Sequence, residues 1–211
     1  VSIAGGKGAS LAEMYNIKMP IPPGFVVTAQ AYDYFLKKTR IDSKIKDVLS
    51  RLDVDNTEAL NKVSKQIREI IEGAELPEEM KEEIVEAYEI LGAEVGNGKE
   101  RNALGVLDNS REPFVAVRSS ATTEDLADAS FAGQQDTFLN VRGKEDLLVN
   151  AKKCMSSLFT ARAIYYRQKK GFDHTKAYLS VVVQKMVNSE KSGVMFTVNP
   201  IKGDKNIVIE A

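Results

Sequence analysis

The chain reads as an α+β domain, with a helix-rich first part followed by a mixed or antiparallel sheet and one long packed helix. Two observations predict this. Between residues 28 and 95 apolar side chains recur at helical spacing, whereas after Pro113 they gather into short β-branched runs separated by polar turns. In the first part, residues 29–38 open after Thr28, a capping residue, and residues 43–52 and 57–72 continue the helical period. Pro77 then starts a further helix over 78–91. Leu60, Val63, Ile67, Ile70 and Ile71 form an inward stripe, and the Glu and Lys residues between them form solvated faces. Gly-Asn-Gly and Asp-Asn-Ser turns between residues 92 and 113 mark the change of style.

In the second part residues 113–117 form an apolar strand, so Arg118 is expected at a strand end. A helix over about 144–169 carries Leu147, Leu148, Ala151, Met155, Leu158 and Ile164 as the stripe that packs on the sheet. Three further strand-like runs follow at 177–187, 193–199 and 207–210.

The most informative segment is VRSSATTEDL at 117–126, running into ASFAGQQDTFLNV at 129–141. Arg118 offers a forked guanidinium, and Ser119, Ser120, Thr122 and Thr123 add short hydroxyls. Ala129, Ser130, Ala132 and Gly133 are small enough for backbone N–H groups to approach a ligand closely. The combination suits a polyphosphate, and an ordinary surface hairpin with a salt-bridged Arg is the alternative. A second cluster, AGGKGAS at 4–10, sets Lys7 among three glycines ahead of a helix, where N–H groups and the helix dipole favour anions. It is no Walker A loop, because Gly8 rather than Ser or Thr follows the Lys. Its alternative reading is a plain helix start with an exposed Lys.

Composition narrows the field. The 211 residues carry 29 basic and 30 acidic side chains and are 43% hydrophobic, enough for one sizeable core or two unequal lobes. A net charge of −1 lacks the broad positive field of a nonspecific nucleic-acid binder. One cysteine excludes an internal disulfide, and Cys154 lies in an apolar helical pattern, which reads as core. No apolar run spans a bilayer and no signal-peptide pattern is present, so the cytoplasm is the expected location. There is no internal repeat, low-complexity tract or Cys/His metal cluster.

GGKGASL at 5–11, PPGFVVT at 22–28, VRSSATTED at 117–125 and SFAGQQDTFLNV at 130–141 resemble the N-terminal nucleotide-binding domain of the phosphoenolpyruvate synthase (pyruvate, water dikinase) family. The likeness continues through VVVQKM at 181–186 and SGVMFTVNP at 192–200. Pyruvate phosphate dikinases and rifampicin phosphotransferases share the domain in broader form. The resemblance implies an ATP-grasp domain, incomplete here, that binds ATP with Mg2+ and passes a phosphoryl group to a carrier histidine on a separate swivelling domain. A third, barrel-shaped domain then presents pyruvate, so that pyruvate, ATP and water give phosphoenolpyruvate, AMP and phosphate.

On this reading residues 1–110 are the helix-rich first part, 111–187 the sheet and phosphate-loop part, and 188–211 the start of a second ATP-grasp half. The termini fit a piece of a longer enzyme, since in the family the chain continues into a half carrying an acidic metal ligand and further triphosphate contacts. The isolated piece is then expected to be inactive. His174, in GFDHTK at 171–176, has a turn-like setting unlike that of the carrier histidine and is expected to be a surface residue.

Carried onto this sequence, the resemblance makes Lys7 and Arg118 the catalytic and triphosphate-binding cations. It makes Gly133 the tip of a phosphate-covering loop and Thr137 a hydroxyl donor to the triphosphate. Gln184 faces the adenine, where an amide can both donate and accept; otherwise it is a polar residue on a strand's wet face. Glu124, Asp125 and Asp136 are secondary candidates, the first two as magnesium contacts or turn caps, and no metal ligand is assigned. A rifampicin phosphotransferase-like dikinase and a non-catalytic nucleotide-binding lobe stand as alternative functions.

Overall fold

The computed structural model describes residues 1–93, 112–122, 125–126, 129–130 and 136–211. Its centre is a four-stranded antiparallel sheet in the order β1 (Gly24–Val27), β6 (Leu179–Lys185), β2 (Val115–Ala121), β5 (Thr137–Val141). Two short pairs stand apart from it, β3 (Asp125–Leu126) with β4 (Ala129–Ser130), and β7 (Val194–Phe196) with β8 (Val208–Glu210). The expected α+β architecture with an antiparallel sheet is therefore present.

Facing residues of antiparallel neighbours share a face of the sheet. One face carries Phe25, Val183, Val117 and Phe138 in a row, with Val27, Val181 and Ser119 in the next. It packs on α6 (Lys144–Ser156) and belongs to the main core. The opposite face carries Val26, Val182, Arg118 and Thr137, and is covered in part by α1 (Gly5–Asn16). Because both faces are covered, six of the seven β2 residues are buried and only Arg118 is half-buried, so the strand shows no polar-apolar alternation. A register shift between Val115 and Val117 is matched by Asn140 at φ 56°, the left-handed geometry that Asn tolerates at a bulge.

The helices follow their local signals. Thr28 caps α2 (Ala29–Lys38) by accepting from Ala31 N at 3.2 Å, and Asn56 caps α4 (Thr57–Gly73) by accepting from Ala59 N at 3.0 Å. Between them α3 runs Ile41–Leu49, starting and ending earlier than the period suggested. Leu60, Ser64, Ile67 and Ile71 form the buried stripe of α4. Fully burying one such isoleucine is worth about 2 kcal/mol. Pro77 precedes α5 (Glu78–Ala93) as expected.

Three expectations need correction. The long helix is broken: α6 ends at Ser156, a 3₁₀ turn spans Ser157–Phe159, and α7 (Ala161–Lys169) restarts. Thr160 causes this, since its hydroxyl caps α7 by accepting from Ala163 N at 3.2 Å and its backbone is extended. The Phe159 carbonyl left by the break accepts from the Ser64 hydroxyl at 2.7 Å. Arg118 lies in the middle of β2, not at its end, because Ser119, Ser120 and Ala121 continue the ladder opposite Val181, Ser180 and Leu179. Finally, Gly5, Gly6, Lys7 and Gly8 form the first turns of α1 instead of a loop ahead of it. No helix among the described residues is long and apolar enough to cross a membrane.

Candidate functional site

The glycines of α1 set its distance from the sheet. Gly5 has φ 65°, and a Cβ there would lie 2.3 Å from the Ser120 carbonyl oxygen. At Gly8 a Cβ would meet the Ala4 methyl at 2.9 Å and methyls of Val182 and Val26 at 3.5 Å. These glycines admit the strands to the helix, which is a packing role distinct from the ligand cradle read from sequence. The Ser120 hydroxyl fastens the contact, donating to the Ala4 carbonyl at 2.9 Å and accepting from Gly8 N at 3.3 Å. Ser119 donates its hydroxyl to the Asp136 carbonyl at 2.8 Å, and Thr122 donates to the Tyr178 carbonyl at 3.1 Å. These three hydroxyls serve the fold, while Thr123 lies outside the described residues.

Close apposition of α1 carries Lys7 across to β2. Its Nζ donates to the Ser119 carbonyl at 3.0 Å, beside Arg118 in the chain. Arg118 Nη1 stands 3.5 Å from Gln184 Oε1, and Gln184 Nε2 donates to the Pro22 carbonyl at 3.1 Å. Thr137 is the cross-strand partner of Arg118 and is exposed. Four of the five residues singled out from sequence therefore gather on or beside one face of the sheet. The fifth, Gly133, lies outside the described residues, as does Glu124, and nothing is described of the Asp125 side chain.

A cavity of about 320 Å³ opens along this face between α1, β1 and β6. Gly8, Tyr15, Ile21, Phe25, Val182 and Gln184 contribute to its lining. Most of this wall is apolar, Asn16 and Gln184 supply its amides, and Arg118 stands against Gln184 from outside the lining. Such a hollow suits a ligand with a flat apolar part and an anionic tail.

Sequence reasoning missed Arg68. From α4 its Nη2 reaches Asp136 Oδ2 at 3.0 Å, and its Nε lies 3.4 Å from the Ser156 hydroxyl and 3.7 Å from Glu72 Oε1. This ion pair holds Asp136 just before Thr137 and makes Asp136 structural. A helical surface Arg gives no local sign of a partner 68 positions away. Cys154 is buried below, 3.4 Å from the Val117 carbonyl, and burial pushes its thiol up to about 12. It is core, as expected. His174 is not a plain surface residue: it is half-buried and accepts at Nδ1 from Arg167 Nε at 3.1 Å. Among the described residues no group of three or more His, Cys, Asp or Glu side chains could hold a metal ion.

Comparison with known proteins supplies the class. The profile of the pyruvate phosphate dikinase AMP/ATP-binding domain matches residues 1–211, and the chain belongs to this family. Nucleotide binding is the family's defining property, and it agrees with cations set beside an apolar hollow. Among similar proteins, a probable phosphoenolpyruvate synthase of Methanocaldococcus jannaschii is 55% identical over 212 residues, with 100% of this chain and 17% of that protein covered. One of Archaeoglobus fulgidus is 53% identical over 211 residues, covering 100% of this chain and 26% of that protein. The phosphoenolpyruvate synthase of Pyrococcus furiosus is 43% identical over 241 residues, covering 99% of this chain and 28% of that protein. The chain thus spans well under a third of the length of these relatives.

Proposed function

We propose that the chain forms one side of an ATP-grasp site in a dikinase of the phosphoenolpyruvate synthase type, which converts pyruvate, ATP and water to phosphoenolpyruvate, AMP and phosphate. The observation that carries this reading is the bond from Lys7 Nζ to the Ser119 carbonyl, which brings an amine to the strand that bears Arg118. Two cations there oppose the charge of a triphosphate and the charge that develops as phosphoryl is transferred. Neither acts as an acid or base, since phosphoryl transfer depends chiefly on position and electrostatics. Thr137 adds a hydroxyl from the neighbouring strand, and Gly133 belongs to the loop that covers the phosphates.

Gln184 reads the base edge. Its amide already donates at Nε2 and accepts at Oε1, and it lines the apolar hollow that would take the ring. Mg2+ accompanies ATP, but the described residues supply no carboxylate set for it. The phosphohistidine carrier and the pyruvate-binding domain are partners beyond these residues, and the cytoplasm, with its ATP, is the location. Residues 188–211 start the second ATP-grasp half. In support, β7 and β8 present Val194, Met195, Phe196 and Ile209 to solvent, an apolar surface suited to further pairing.

The test is AMP formation from ATP by the intact protein that carries this chain. Dependence on pyruvate supports the reading. Dependence on rifampicin instead would assign the antibiotic phosphotransferase, and ATP binding without turnover would assign a non-catalytic lobe.

A further inference from the structure

The amide of Gln184 joins the apolar hollow to the cation outside it. In the register of the sheet Gln184 faces Ala116 and Arg118 faces Val182, so Gln184 and Arg118 are diagonal neighbours on one face of β6 and β2. Gln184 Nε2 donates to the Pro22 carbonyl at 3.1 Å, and Gln184 Oε1 accepts from Arg118 Nη1 at 3.5 Å. A carbonyl can only accept and a guanidinium can only donate, so both neighbours require the same orientation of the amide.

The Pro22 end of this bridge is fixed by the backbone. The Pro23 carbonyl accepts from Lys185 N at 2.9 Å, and Gly24 is the cross-strand partner of Gln184. There β1 approaches β6 so closely that a Cβ at Gly24 would lie 2.4 Å from the Val183 carbonyl oxygen. Pro22, Pro23 and Gln184 all line the hollow. One wall of the hollow and the Arg118 guanidinium are thus tied to a single side chain.

A neutral amide is well suited to this position. Among the described residues Gln184 is the one side chain that the Arg118 guanidinium bonds. An amide orients a guanidinium without cancelling its charge, whereas a carboxylate would hold it in an ion pair and oppose phosphate. Gln184 also keeps a second N–H and a second lone pair for a base edge. Both side chains are half-buried and their contact is long, so water competes for it. A flat base filling the hollow excludes that water, which strengthens the Nη1–Oε1 bond and steadies the guanidinium.

We propose that Gln184 is a positioning residue that couples the two ends of the nucleotide. A base in the hollow sets the amide, the amide holds Arg118 on the sheet face, and the triphosphate binds more tightly in consequence. This rests on the nucleotide reading above and adds to it a positive cooperativity between base and phosphates, equal in both directions.

The test divides the nucleotide into its ends. Calorimetric titration of the intact protein with tripolyphosphate, at one ionic strength, is run with and without excess adenine, which lacks the ribose and leaves both ligands room to bind together. The wild type should bind tripolyphosphate at least about fivefold more tightly with adenine present. Gln184→Leu, which keeps an apolar wall and removes the bridge, should bring that ratio to about one, as should Arg118→Ala. Lys7→Ala should weaken tripolyphosphate binding yet keep the ratio, because the bridge runs from Pro22 through Gln184 to Arg118. A general structural defect would weaken both titrations alike and leave the ratio where it was. A wild-type ratio of one in a protein that binds ATP, or a ratio that survives in Gln184→Leu, would overturn the coupling and leave the nucleotide reading standing. Absence of ATP binding would overturn both.

Discussion

Lys7 and Ser119, 112 positions apart, are joined by a hydrogen bond from the side-chain amine to the backbone carbonyl at 3.0 Å. The bond exists because Gly5 lets the first turn of α1 rest on β2, where a Cβ would collide with the Ser120 carbonyl, and Gly8 keeps the next turn against Val182 and Val26. Helix placement therefore determines where the amine sits. The residue bonded is the one after Arg118, and Gln184 and Thr137 stand beside that guanidinium on the same face of the sheet.

Gly5 should be intolerant and Gly73 tolerant. Gly5→Ala combines a left-handed φ with a 2.3 Å approach to the Ser120 backbone, and is expected to destabilise by about 2 kcal/mol or more. Gly73, the last residue of α4, would place its methyl in open space, so Gly73→Ala should be neutral or stabilise by roughly 0.5 kcal/mol. Urea midpoints of the two variants check the contrast.

His174 should make stability fall in mild acid. Its folded pKa, about 4, lies below the unfolded value near 6.5, so between these pH values the unfolded chain binds the extra proton. The contribution is complete above about pH 6.5 and is lost as pH falls towards 4. In His174→Asn, which keeps an acceptor near Arg167, denaturant midpoints should change less across that window than in the wild type.

Cys154 should be inert while the chain is folded. It is 0% exposed, and burial, reinforced by Asp136, raises its thiol to about 12, which the Lys7 charge offsets only in part. A thiol reagent at mildly alkaline pH should modify the native protein negligibly. In denaturant the single cysteine should react fully.

What could be read from sequence was local. The helix at 29–38 was legible to the residue because Thr28 is both an extended-backbone position and an N-cap. Lys7 and Arg118 were legible as cations among small residues, but what holds them was not. The glycines looked like a ligand cradle because sequence does not show that Ser120 and Val182 approach them. Arg118 looked like a strand terminus because serines read as turn residues until Ala4, Gly8 and Asp136 are seen to satisfy their hydroxyls. Thr160 sits inside an apolar period that hides a cap, and the Arg68–Asp136 and Arg167–His174 contacts depend on tertiary placement.

The most direct measurement is the affinity of the intact protein for ATP, by titration calorimetry, in the wild type, Lys7→Ala and Arg118→Ala. Convergence of the two cations on one triphosphate predicts that each variant loses at least about tenfold, with its melting temperature little changed. Wild-type affinity in both would contradict it.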